Sequence, residues 1–177
     1  MSDPLAVAAA TIDLDEPVEE PPRAGQPGGE ACHYCQTPEH GVVWESTHWR
    51  ALPRHWSPLP GGVLLTSKAH VDALSDLPHE RQAEFGVIAA AVESPILSLG
   101  AASLVHMYRW GDGCAHFHVH FVGRPLGRPQ FRWRNLPFLE LRYPNLGTDE
   151  LSRAAATVAN HLAGADLQAV PVVIDAV

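Results

Sequence analysis

From Gly41 onward the pattern of apolar and polar positions switches between two periods. "GVVWES" and "HWRALPR" read as two short strands forming a hairpin around Ser46 and Thr47. A proline and glycine cluster, "SPLPGG", then leads into "VLLTS", a continuous apolar run of strand length. After it the spacing becomes helical, with Val71, Leu74 and Leu77 three residues apart. A second helix start follows, with Asp76 as N-cap, Pro78 in the first turn and Glu80 nearby. Phe85, Ile88, Ala89 and Val92 supply this helix with a buried stripe, and Pro95 is expected to kink or end it.

The alternation returns at "ASLVHMYRW". "GDG" is turn chemistry, and "AHFHVHFVG" is expected to pair back onto the preceding strand. Residues 125–147 are rich in arginine and proline and irregular, with "FLELRY" as a possible short strand. "TDELSRAAATVANHLAG" closes the pattern as an amphipathic helix capped by Thr148, with Asp149 and Glu150 in its positively polarised first turn and Gly164 at its end. Strands, helix, strands and helix in that order, without an internal repeat, predict an α+β meander with an antiparallel sheet and its helices on one face.

At 177 residues and 46% apolar content the chain has the size and composition of one globular domain. It contains no apolar run long enough to cross a membrane, and its start lacks the charged and apolar blocks of a secretory signal, so a cytoplasmic protein without a membrane partner is expected. The net charge of −8 is unevenly divided: residues 1–30 hold seven acids against Arg23 alone, which leaves −2 for the rest. That acidity, joined to the prolines and glycines of "EPVEEPPRAGQPGGE", predicts a disordered tail over residues 1–29. The folded domain is expected over 30–165, with a C-terminal extension over 166–177. Beyond the histidine run Arg124, Arg128, Arg132, Arg134 and Arg142 face one acid, Glu140. This patch is either a solvated loop or a set of guanidinium groups for a phosphate ester. It is too short, and the body too weakly basic, for a nucleic-acid groove.

The chemistry concentrates in two places. In an extended strand His116, His118 and His120 share one face while Phe117, Val119 and Phe121 face the core. A row of imidazoles suits metal coordination or attack on a phosphate, since neutral imidazole is a good nucleophile near pH 7. Cys32 and Cys35 form a C-x-x-C in a tight turn, and with Cys114 the cysteines are too few and too odd in number for a disulfide framework. Two thiolates need imidazoles to complete a tetrahedron, and His33, His40, His70 and His116 are the candidates. Cys114 reads as a small buried hydrophobe. Metal-dependent hydrolysis at the histidine run itself would need nearby carboxylates, and only Asp112 is near.

In context these residues resemble the histidine triad (HIT) superfamily. "HFHVHFV" fits its H-φ-H-φ-H-φ-φ signature, φ being apolar; "GGVLLTSKAHVDALSDL" looks like its strand, Lys-x-His and helix; "CHYC" stands where many members carry a C-x-x-C. The resemblance covers residues 32–125 and implies a HIT-like antiparallel sheet of about five strands packed with two main helices. It implies a nucleotidyl hydrolase or transferase, with His118 as nucleophile toward the α-phosphorus of a nucleotide or nucleotide conjugate. His120 would bond phosphate oxygens and the leaving group, with turn amides at Gly113 and Cys114 as further phosphate donors. Zinc-bearing relatives imply a structural Zn2+ on Cys32, Cys35, His70 and His116, and the family implies a homodimer built through the helix and strand before the triad. Two departures stand out: Gly113 occupies a position often held by serine or threonine, and Arg54 one often held by a ribose-binding aspartate. They motivate an alternative, a zinc-stabilised nucleotide-binding protein with weak or absent turnover.

Overall fold

A computed structural model of the chain describes residues 15–36, 41–54, 57–59, 61–133, 135–165 and 167. His40, Arg134, the first fourteen residues and all of 166–177 except Leu167 lie outside the described residues. Five strands, β1 (Trp44–Glu45), β2 (Trp49–Pro53), β3 (Val63–Ser67), β4 (Ala102–Tyr108) and β5 (His118–Pro125), form one antiparallel sheet in the order β1-β2-β3-β5-β4. The helices are α1 (His79–Ser98), the short α2 (Asn135–Glu140) and α3 (Thr148–Gly164). The architecture is the expected α+β fold with two main helices.

The hairpin forms as expected, because the Ser46 hydroxyl accepts bonds from the amides of His48 and Trp49 and closes the β1–β2 turn. Register then sorts the side chains. Val63 pairs with Phe121 and Leu65 with Val119, so these four share the face covered by Ile88, Val92 and Ile96 of α1 and by Val158 and Leu162 of α3. Each helix presents its buried residues four apart, and each such side chain contributes on the order of 1.5–3 kcal/mol by leaving water. On the opposite face Thr66 pairs with His118, and His120 lies between Leu64 and Tyr108. A smaller cluster of Leu59, Val122, Phe131 and Leu136 covers that side farther along β5.

Several local expectations are corrected. The spacing of Val71, Leu74 and Leu77 produces only a 3-10 turn at Leu74–Asp76, and the Asp76 carboxylate accepts the Ala73 amide 2.9 Å away instead of capping α1, whose N-cap is Pro78. α1 runs through Pro95 to Ser98, with Pro95 buried. "FLELRY" is not a strand: α2 takes in its first half, because the helical spacing of Leu136 and Glu140 buries both, and period-two alternation over six residues does not separate the two states. Thr148 is the first residue of α3, behind an N-cap at Gly147, and does not cap it with its side chain. Gly164 does end α3, as expected.

Residues 23–30, which composition groups with the acidic tail, make specific contacts with the domain. The Arg23 guanidinium pairs with Asp72 and donates to the Gly111 carbonyl at 2.9 Å, and Ala24 bridges to the turn at Cys114. Gly25 has φ +88°, and a Cβ there would stand 2.7 Å from the His70 ring, so the tail passes close to His70 because this residue lacks a side chain. Among the described residues no helix is long and apolar enough to cross a membrane.

Candidate active site and metal centre

β5 begins at His118, so His116 and Phe117 precede it, held by a different set of bonds. The Phe117 amide donates to the Val71 carbonyl at 2.6 Å, and its carbonyl accepts the Thr66 hydroxyl at 2.9 Å. The alternation nevertheless persists, because Phe117, Val119 and Phe121 enter the core. The imidazoles do not form an open row on the surface: His116 is 0%, His118 6% and His120 7% exposed.

At one end His116 joins Cys32, Cys35 and His70, the donor atoms of all four lying within 4.8 Å of one another. His116 Nδ1 is 3.2 Å from Cys32 Sγ, 3.5 Å from Cys35 Sγ and 3.3 Å from His70 Nδ1, which is itself 3.3 Å from Cys35 Sγ. Metal bonds of zinc to sulfur and nitrogen imply tetrahedron edges of about 3.3–3.8 Å, so these separations suit one ion. The outward nitrogens support the same reading. His116 Nε2 donates to the Ser67 carbonyl at 2.8 Å and His70 Nε2 to the Gly25 carbonyl at 3.2 Å, which turns both Nδ1 lone pairs toward the thiols. Burial pushes the Cys32 thiol up, but bonds from the Cys35 amide and thiol, Cys114 and His70 outweigh it and bring Cys32 below the usual thiol range. Burial pushes Cys35 up to about 11 and Cys114 up to about 12, so the first sulfur to become a thiolate is Cys32. The cluster fits zinc binding. Of the four imidazoles open in the sequence, His70 and His116 complete it. Cys114 is buried, its sulfur 3.7 Å from Cys32 Sγ.

At the centre, His118 Nδ1 donates to the His116 carbonyl at 2.7 Å, leaving the Nε2 lone pair free. Burial, with Arg109 and His116 adding, lowers its pKa and favours the neutral ring. The ring of Tyr34, which stands between Cys32 and Cys35 in sequence, lies 4.7 Å from the His118 ring and 5.5 Å from that of His116. Gly113 and Cys114 lie in the turn before the triad. The Gly113 carbonyl accepts the Ala24 amide at 3.3 Å and the Ala115 amide donates to the Ala24 carbonyl at 2.9 Å, while the amides of Gly113 and Cys114 have no partner among the described residues.

At the other end His120 stacks on Tyr108, 5.2 Å between centroids and 14° from parallel. Its Nδ1 is buried without a hydrogen-bond partner among the described residues, and burial, with Arg54 and His118 adding, pushes it down to about 3. His120 is therefore neutral at pH 7 and offers a neutral N–H. Beside it lies a network that sequence reasoning missed. The Glu140 carboxylate accepts Arg54 at 2.8 Å, Ser57 at 2.9 Å and the Tyr108 hydroxyl at 3.0 Å. Arg54 is 4% and Glu140 2% exposed, a buried ion pair 86 residues apart in sequence. Burial also raises the Tyr108 phenol, which stays protonated. The guanidinium that bears on His120 is thus that of Arg54. Of the basic patch, Arg128, Arg132 and Arg142 are exposed and Arg124 half-exposed.

No family model matches the sequence, and no curated protein matches it. Solved structures do. A histidine triad nucleotide-binding protein from Sulfolobus tokodaii superposes with a TM-score of 0.57 at 15% identity, over 75% of this chain and 92% of that one. A zinc-bound histidine triad family protein from Mycobacterium smegmatis gives 0.55 at 17% identity, over 75% and 94%. A histidine triad protein from Marinobacter aquaeolei gives 0.55 at 16% identity, over 70% and 88%. With its five-stranded sheet, its two main helices on one face and its three histidines running into β5, the chain has the histidine triad fold.

Proposed function

We propose that this protein is a nucleotide-binding histidine triad enzyme, a nucleotidyl hydrolase or transferase, in which His118 attacks the α-phosphorus of a nucleotide phosphoester or phosphoanhydride. One observation carries the reading: His118 is buried, biased to the neutral form, and commits Nδ1 to a backbone carbonyl, which directs the Nε2 lone pair outward. In the step itself a bond forms between Nε2 and phosphorus as the bond from phosphorus to the leaving-group oxygen breaks. Water or another acceptor hydroxyl then cleaves the P–N bond and restores the imidazole, its proton passing to solvent. His120 donates to a phosphate or leaving-group oxygen, and the amides of Gly113 and Cys114 add donors on the turn, all groups whose bonds strengthen as negative charge develops.

Zinc on Cys32, Cys35, His70 and His116 would fill four positions with protein donors and supply a structural cross-link, tying the N-terminal turn to the segment that leads into His118. The chain is proposed to pair as a homodimer through α1 and the edge strand β4, where Leu97, Leu104 and Met107 are exposed, and light scattering giving a monomer would refute this. A second reading, nucleotide binding without efficient turnover, is favoured by Arg54, which is buried and committed to Glu140 where the family pattern has a ribose-binding aspartate.

The test is acid-quenched intact-protein mass spectrometry after incubation with dinucleoside polyphosphates, nucleoside phosphoramidates and sugar nucleotides. A nucleotidyl mass on the peptide containing His118, absent in His118→Asn, is expected. Binding without adduct or turnover would favour the second reading, and neither binding nor turnover would remove both.

A further inference from the structure

We infer that Tyr34 is a positioning residue for His118 and that the metal cluster holds it in place, an inference that rests on the proposed role of His118 as nucleophile. The Nδ1 bond to the His116 carbonyl decides which nitrogen of His118 is free. It does not by itself fix the tilt of the ring, because a hydrogen bond weakens steeply only when bent below about 120°. The tilt is limited by neighbours: His120 meets the ring edge-on at 5.5 Å, and Tyr34 lies against it at 4.7 Å and 35°. Tyr34 is half-buried and presents His118 with an aromatic ring. With these two rings against it, His118 is held to a narrow range of tilt, and an error of about 1 Å in the placement of Nε2 costs roughly a hundredfold in rate.

Tyr34 in turn is carried by a three-residue 3-10 turn, His33–Cys35, without an apolar core of its own. On the chain it stands two residues after Cys32 and next to Cys35, whose thiols meet His116 and His70. A metal closing that cluster would fix the turn at both ends of the Cys32–Cys35 step, with Tyr34 over the reactive ring. Metal occupancy and the alignment of His118 are thereby linked through a side chain that is not itself a ligand.

The experiment is proton NMR of the protein loaded with one equivalent of zinc chloride, with labelled histidine and tyrosine. Cross-peaks between the Tyr34 and His118 ring protons are expected, together with a ring-current displacement of the His118 protons that Tyr34→Ala abolishes and Tyr34→Phe keeps. Chelation should remove the cross-peaks while contacts between Phe85 and Phe117, 5.5 Å apart in the core, persist. In turnover, Tyr34→Ala should lower kcat tenfold or more, as a rough expectation, with KM little changed, and Tyr34→Phe should restore most of the rate. Absence of the cross-peaks in the zinc-loaded protein, or equal damage from Ala and Phe, would overturn the positioning role. Cross-peaks that survive chelation would overturn the link to the metal. An inactive wild type would remove the proposed activity and leave Tyr34 decided by the NMR result alone.

Discussion

His116 and His120 stand two residues to either side of His118, yet their surroundings set them to different work. His116 spends Nε2 on a carbonyl and turns Nδ1 to two thiols and a second imidazole. His120 stacks on a tyrosine, has no partner at Nδ1 among the described residues, and is held neutral beside a buried ion pair. Under the proposed function these three identical side chains divide into an anchor and a reacting pair, according to what each one faces: the N-terminal turn at one end, Tyr108 of β4 and the Arg54–Glu140 pair at the other.

The largest expected effect lies at the end held by protein alone. Glu140→Ala leaves Arg54 buried without its carboxylate and should cost about 3–5 kcal/mol in urea unfolding, whereas Arg54→Met combined with Glu140→Leu should recover most of it. Neither change should alter metal stoichiometry. If Glu140→Ala releases the metal, the two ends are not separate.

Next comes the metal itself. An ion bound a thousandfold above its Kd stabilises the folded state by about 4 kcal/mol, so chelation should lower the unfolding midpoint by a matching amount while the far-ultraviolet circular dichroism of the sheet and helices stays. Loss of all secondary structure on chelation would mean that the cluster organises the whole fold and not only its N-terminal turn.

An effect smaller at each pH unit follows from His120. The folded protein keeps it neutral to about pH 3, while the unfolded chain protonates it near the ordinary value of 6.5. The unfolded state therefore binds the extra proton between those values, and stability is full above pH 6.5 and falls as pH is lowered toward 3. This residue's share is up to about 1.4 kcal/mol per pH unit. His120→Gln should flatten the slope of unfolding free energy against pH by that share; an unchanged slope would show that His120 is not held neutral. The smallest effect is expected at Cys114, which touches Cys32 but lies outside the four donors. Cys114→Ala should cost about 1 kcal/mol and leave one metal per chain.

The sequence was most informative where a pattern is local. Alternation at "HWRALP" and "HVHFVG" marks both the strands and their inward faces, and the histidine spacing and "CHYC" point to side chains that the fold brings together. It was least informative where a residue's role depends on a distant partner. Glu140 reads as the lone acid in an arginine-rich loop until Arg54, 86 residues earlier, is found beneath it. Arg23 carried no signal within an acidic tail, since its partners Asp72 and Gly111 come from other loops. Tyr34 likewise takes its meaning only from the ring it covers.

The division of the triad is tested most directly by metal analysis of three variants, His116→Asn, His118→Asn and His120→Asn, purified in parallel with zinc present. That division predicts no stoichiometric metal in the first and one ion per chain in the other two. Retention of the ion by His116→Asn, or its loss from all three, would contradict it.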